Sequence, residues 1–97
     1  MSAARFCVLL TSDHQLAERA RDLCKRRKIA VLAVERIDQL VGVVASVVPT
    51  HLVVDVRDRG GLDPEQLLGG HRSKVEVVTI DSFARGVDAF VTLCLDR

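Results

Sequence analysis

Short apolar runs alternate with longer amphipathic stretches along this chain, and that alternation limits its fold more than any other feature. Phe6-Cys7-Val8-Leu9-Leu10 is a continuous apolar run between polar residues, the pattern of a strand buried on both faces. From about Asp13 to Lys28, Leu16, Ala17, Ala20, Leu23 and Cys24 recur at helical spacing, with Glu18, Arg21, Asp22 and Lys25 opposite, which predicts a surface helix. Ser12, with Gln15 three residues on, has the form of a capping box at its start. Lys25-Arg26-Arg27-Lys28 closes it, where cations meet the negative pole of the helix. The same four residues would also suit a nucleic-acid patch, but the rest of the chain is not basic, so the helix-end reading is preferred.

The alternation continues. Ile29 to Val34 reads as a second strand, and a second helix is expected from about Ile37 to Val47, with Pro49 beyond its end. Leu40, Val41, Val43, Val44, Val47 and Val48 form an arc wide for a surface helix. A deep seat against a sheet is the preferred explanation, and a partner-facing edge is the alternative. Leu52-Val53-Val54-Asp55 is a third buried strand that ends in a carboxylate. Asp63-Pro64 opens a short helix with Asp as cap and Pro in its first turn, and Gly69-Gly70 stops it. Val75 to Thr79 is the fourth strand. Ser82 to Gly86 leaves room for little more than one helical turn, and Ala89 to Leu95 reads as a fifth strand. Strands alternating with helices imply right-handed parallel crossovers and a doubly wound α/β sheet. Ligands in such sheets sit at the carboxyl ends of the strands, at the topological switch point.

Ninety-seven residues suit a single domain over 1–97, near the size at which one core becomes marginal. A net charge of +1 gives no long-range attraction to nucleic acid or anionic membrane, and the absence of Trp and Tyr removes the usual stacking platform for single strands. Neither nucleic acid nor membrane is therefore expected as a partner. Cys7, Cys24 and Cys94 are odd in number and without a CxxC pair, which fits buried, reduced thiols. The apolar run in MSAARFCVLL is too short for a secretory signal, and none approaches a membrane span. A cytoplasmic location is the expectation. His14, His51 and His71 are scattered, so neither a zinc site nor a catalytic histidine is predicted. Ser12 has no His–acid relay at a recognisable spacing, and no enzymatic activity is expected.

Asp13, Asp55 and Thr79 fall at the ends of the first, third and fourth strands. If those strands are adjacent, two carboxylates and a hydroxyl meet in one crevice, a set of oxygen ligands suited to Mg²⁺. Several stretches resemble the receiver domains of two-component response regulators. VLLTSDHQL is similar to their first strand and acidic pocket, PTHLVVDVRDRGGLD to their phosphoacceptor strand and loop, VEVVTID to their fourth strand, and GVDAFVTLCLD to their closing segment. The resemblance implies a flavodoxin-like strand order 2-1-3-4-5. It makes Asp55 the phosphoacceptor, Asp13 the metal-binding acid beside it, Thr79 the phosphate-sensing hydroxyl and Phe90 the switch aromatic. It also implies Mg²⁺ as cofactor, and a histidine kinase as phosphoryl donor if the site works.

The departures from the family point the other way. Ser12 stands where the family has a second acid, and Leu93 and Cys94 stand where it has Lys and Pro. One carboxylate fewer beside a cation about 4 Å away removes an attraction on the order of 4 kcal/mol at an effective dielectric near 20. The fourth helix is expected to be vestigial and the fifth missing, which would leave one face of the fifth strand uncovered. The resulting expectation is a degenerate pseudo-receiver, unphosphorylated, that acts by protein–protein contact as a homodimer or with a partner covering that face. A phosphoacceptor using Asp55 and Mg²⁺ is the alternative.

Overall fold

The computed structural model describes residues 5–95. Residues 1–4, part of the segment weighed above as a signal, lie outside the described residues. Four strands, β1 (Phe6–Leu10), β2 (Ala30–Val34), β3 (His51–Asp55) and β4 (Glu76–Ile80), form one parallel sheet in the order β2-β1-β3-β4. Four α-helices connect or follow them: α1 (His14–Arg26), α2 (Ile37–Ser46), α3 (Pro64–Leu68) and α4 (Phe83–Leu95). After α3 the chain continues as a 3₁₀ turn over Gly69–Lys74 instead of stopping at the glycine pair.

Strand alternation sorts the apolar side chains into two cores. Cys7, Leu9, Val53 and Ile80 face α1 and α4, where Leu16, Ala20, Cys24, Phe90 and Leu93 meet them. Val8, Leu10, Val34, Leu52 and Val54 face the other way, onto Leu40 of α2 and Leu68 of α3. The continuous apolar runs of β1 and β3 are thus explained by helices on both sides. The three thiols are free; Cys7 and Cys24 are buried and Cys94 is half-buried, all in or against the α1–α4 core. Burial, followed by the nearby Cys94, pushes the Cys24 thiol up to about 12, so it stays protonated at neutral pH.

The fifth strand is corrected. Ala89–Leu95 belongs to α4, a helix of 13 residues, so the fourth helix is not vestigial, and among the described residues there is no fifth strand for a missing helix to leave uncovered. Gly86, Phe90 and Leu93 are its buried positions, while Arg85, Asp88, Val91, Thr92 and Leu95 are exposed. That is helical periodicity, and the apolar content of the last seven residues masks it. Ser82 Oγ accepts from Arg85 N at 3.2 Å to hold the first turn. At the other end Arg5 donates to the Leu93 carbonyl at 2.7 Å, placing a cation where the helix is negative.

Two smaller expectations also change. Asp13, not Ser12, caps α1: its Oδ1 accepts from Gln15 N and Leu16 N, both at 3.1 Å. A carboxylate is the stronger acceptor and also meets the positive pole of the helix. The deep seat expected for α2 is not found either, because only Leu40 is buried there. Val41 is 46% exposed, Val47 52% and Val48 39%. The helix covers one side of a sheet edge, so an arc this wide extends past the area that β1 and β2 offer.

Candidate functional site

The sheet order reverses between β1 and β3, since β2 lies to one side of β1 and β4 beyond β3. In such sheets this switch point, at the carboxyl ends of the two strands, is where ligands bind. Leu10 pairs with Val54, so Thr11 and Asp55 stand next to each other as the two strands end. Both point to the α1 side and both are buried.

Asp55 is fully buried, and each of its oxygens has partners. Its Oδ2 accepts from Thr11 Oγ1 at 2.8 Å and from the Arg57 guanidinium at 2.7 Å. Its Oδ1 accepts from Arg57 Nε at 2.9 Å and from the Arg57 backbone N–H at 3.0 Å. The side-chain contacts form a bidentate fork, the strongest geometry open to a guanidinium and a carboxylate. The same guanidinium lies 3.5 Å from Asp13 Oδ2, so Arg57 bridges the two carboxylates. Thr11 completes the cluster: its hydroxyl donates to Asp55 and accepts from Asp13 N at 3.1 Å. Beside it, Ser12 donates through N and Oγ to Asp58, both at 2.8 Å. The β1 and β3 loops are thereby tied by two independent carboxylate contacts.

The sequence prediction brought Asp13 and Asp55 to one crevice, and the structure does the same. Thr79 is not joined to them. It pairs in register with Val54, while Asp55 pairs with Ile80, so pleating puts the Thr79 side chain on the opposite face of the sheet. Phe90 lies fully buried in the α1–α4 core, away from the strand ends. Sequence reasoning missed Thr11, Arg57 and Asp58. The available signal was the alternation Asp55-Val56-Arg57-Asp58, which carries charges of both signs directly after a buried strand.

The residues present do not fit a divalent cation. A guanidinium stands between Asp13 and Asp55, where the cation would have to bind, and no cluster of three ligating side chains suited to a metal occurs among the described residues. Arg57 supplies the positive charge that the two acids require.

The electrostatics follow from this packing. Burial by itself would raise the Asp55 carboxyl, but hydrogen bonds from Arg57 and Thr11 outweigh it and hold the group below the ordinary carboxylate range. A depressed folded-state pKa stabilises the fold above the unfolded value, about 3.9, and that stabilisation is lost as pH falls through the folded value. Urea midpoints are therefore expected to stay level from neutral pH to about pH 5 and to fall below about pH 4. Arg57→Met leaves burial opposed only by Thr11 and one backbone N–H, so its acid limb is expected at higher pH. If the Arg57→Met and wild-type acid limbs coincide, Asp55 is not held down by Arg57.

Comparison with known proteins speaks to the fold. No family model matches the sequence, and no curated protein matches it. Among solved structures, a de novo designed Rossmann fold protein matches over 97% of this chain and 100% of its own, with a TM-score of 0.67 at 16% identity. A second design of that description gives 0.66 at 15% identity over the same shares. A designed Rossmann 2x2 fold protein, solved by NMR, matches over 96% of this chain and 89% of its own, with a TM-score of 0.68 at 11% identity. The chain has a Rossmann-like α/β fold, with a four-stranded parallel sheet between two pairs of helices.

Proposed function

We infer that this chain is a receiver-like signalling module that works by binding protein and not by accepting a phosphoryl group. The supporting observation is the Arg57 fork on Asp55. For an aspartate to attack a phosphorus, one carboxylate oxygen must be free to reach it and a cation must neutralise the incoming phosphate. Here both oxygens are engaged, and the cation is a tethered side chain bonded to the would-be nucleophile. Ser12, bound to Asp58, offers no second acid. Closing β1 and β3 in this way turns a reactive crevice into a fixed platform.

Binding is supported by exposed Val41 of α2 with Val47 and Val48 just past its end, and by a net charge too small to recruit nucleic acid. Reduced, buried thiols fit a cytoplasmic setting.

The test is intact mass after incubation with a small phosphodonor and Mg²⁺. The mass of wild type is expected to be unchanged. A gain of one phosphoryl group that disappears in Asp55→Asn would establish the phosphoacceptor function instead, with a histidine kinase as its natural donor.

A further inference from the structure

The free edge of β4 has the bonding pattern and charge placement of a self-complementary surface. Glu76 N donates to the Thr50 carbonyl at 3.0 Å, and Val56 N donates to the Ile80 carbonyl at 2.8 Å. Residues 76, 78 and 80 therefore direct their backbone groups toward β3. In an extended strand alternate residues turn to opposite edges, so Val77 and Thr79 direct theirs outward. Among the described residues no strand lies beyond them, and an edge of this kind is a ready template for another strand. A groove of about 350 Å³ runs beside it, lined by Glu76, Val78, Arg85, Asp88 and Thr92 among others.

We propose that β4 is a homodimer interface at which two copies pair antiparallel about a two-fold axis at Val78, joining two sheets into one. The proposal rests on the interaction-module reading and names its partner as a second copy. A register centred on Val78 uses the whole strand. Val77 of each copy then stands opposite Thr79 of the other, and these outward-facing residues exchange both backbone hydrogen bonds. Val78 faces its own counterpart as a close, non-hydrogen-bonded pair. Glu76 comes opposite Ile80 of the second copy, at the end of the groove where Arg85 lies beside Thr79 and Ile80. Glu76 and Arg85 are on the α4 side of the sheet, are exposed, and form no ion pair with any other described residue. The two-fold axis brings them together twice, an isologous contact.

The other free edge fails the same comparison. β2 (Ala30–Val34) carries no charged residue, and Lys28 before it has left-handed backbone (φ 58) that cannot continue an extended ladder, so no charge pair is offered across a two-fold axis there. Both edges offer backbone groups, and only β4 offers complementary charge.

Sedimentation equilibrium of the intact chain tests this, with mass and Kd as the readout. Wild type is expected to approach twice 10.7 kDa as concentration rises. Thr79→Pro removes an outward N–H while sparing the ladder to β3, and is expected to weaken Kd by at least about tenfold through the loss of half the inter-copy bonds. Glu76→Arg and Arg85→Glu are each expected to weaken Kd about tenfold, and the double reversal to restore it. Val78→Cys is expected to give a reducible covalent dimer under mild oxidation, because the paired Cβ atoms lie within disulfide reach; wild type is the control for the native thiols. Far-UV circular dichroism confirms that each variant is folded.

A chain that stays monomeric at about 1 mM, where even a millimolar Kd would show, overturns the interface but leaves a heterologous partner open. A dimer indifferent to Thr79→Pro and to the charge reversals, yet lost in Val41→Asp, overturns the β4 assignment and keeps the interaction-module reading on α2. Phosphorylation at Asp55 with an intact β4 dimer would separate the two in the other direction.

Discussion

Phe90→Ala is expected to lower stability by about 3–5 kcal/mol, the usual cost of emptying a buried phenylalanine site. For a domain of this size that is a large share of about 5–15 kcal/mol in total. The melting temperature should drop by about 20 °C, since each kcal/mol moves it by about 4–8 °C in a domain of 60–100 residues. Phe90 is among the largest side chains with no exposed surface, and it lies where α1, α4 and the sheet meet. Chemical and thermal denaturation would both register the loss. A residue that switched between orientations at a strand end would behave otherwise, changing a signalling output with little effect on the melt. A stability loss below about 1 kcal/mol would put Phe90 outside the core, since surface substitutions usually fall within about 0.5 kcal/mol.

The second large effect comes from Gly86. A Cβ at this position would stand 2.6 Å from Leu16 Cδ1, 2.7 Å from Leu16 Cδ2 and 3.0 Å from Ile80 Cδ1. Leu16 has no exposed surface, so its methyl groups cannot retreat into solvent. Gly86→Leu should therefore cost about 3 kcal/mol by overpacking. Gly86→Ala should cost less, because about 1 kcal/mol of gained helix propensity offsets part of the strain. A double-mutant cycle with Leu16→Ala supplies the check. Alone, Leu16→Ala opens a cavity and costs about 2–5 kcal/mol. Combined with Gly86→Leu, the pair should cost less than the sum of the two, because each relieves the other. Strict additivity would mean that α1 and α4 do not meet at these residues.

These two sites also mark where the sequence was legible and where it was not. β1 and β3 were readable because double-sided burial demands unbroken apolar runs, and Phe6–Leu10 and Leu52–Val54 meet that demand. α1 was readable because it is exposed on one side, so its polar and apolar residues separate cleanly. α4 was not, because seven of its thirteen residues fall in the mostly apolar stretch Ala89–Leu95, which suits a buried strand equally well. Ser82 and the polar spacing of Arg85, Asp88 and Thr92 were the discriminating signals. In the crevice, Asp13 and Asp55 could be placed from strand ends alone. Arg57 could not, because a guanidinium two residues past a strand turns back onto the strand's last carboxylate only when the loop geometry permits it. Thr79 misses the crevice by a single residue of register, a shift that reverses the face of a side chain and leaves no mark in composition.

The position of α4 also governs the order in which the molecule can be assembled. The helix is the last described element, and it packs on α1, one of the first, across the back of β1, β3 and β4. A nascent polypeptide synthesised only as far as β4 would have α2 and α3 to shield one side of its sheet, with half of the opposite side bare. Contacts so distant along the chain slow closure, and an open apolar face invites association while it lasts. Folding of this domain should accordingly be nearly all-or-none during synthesis, timed by the emergence of Phe90 and Leu93.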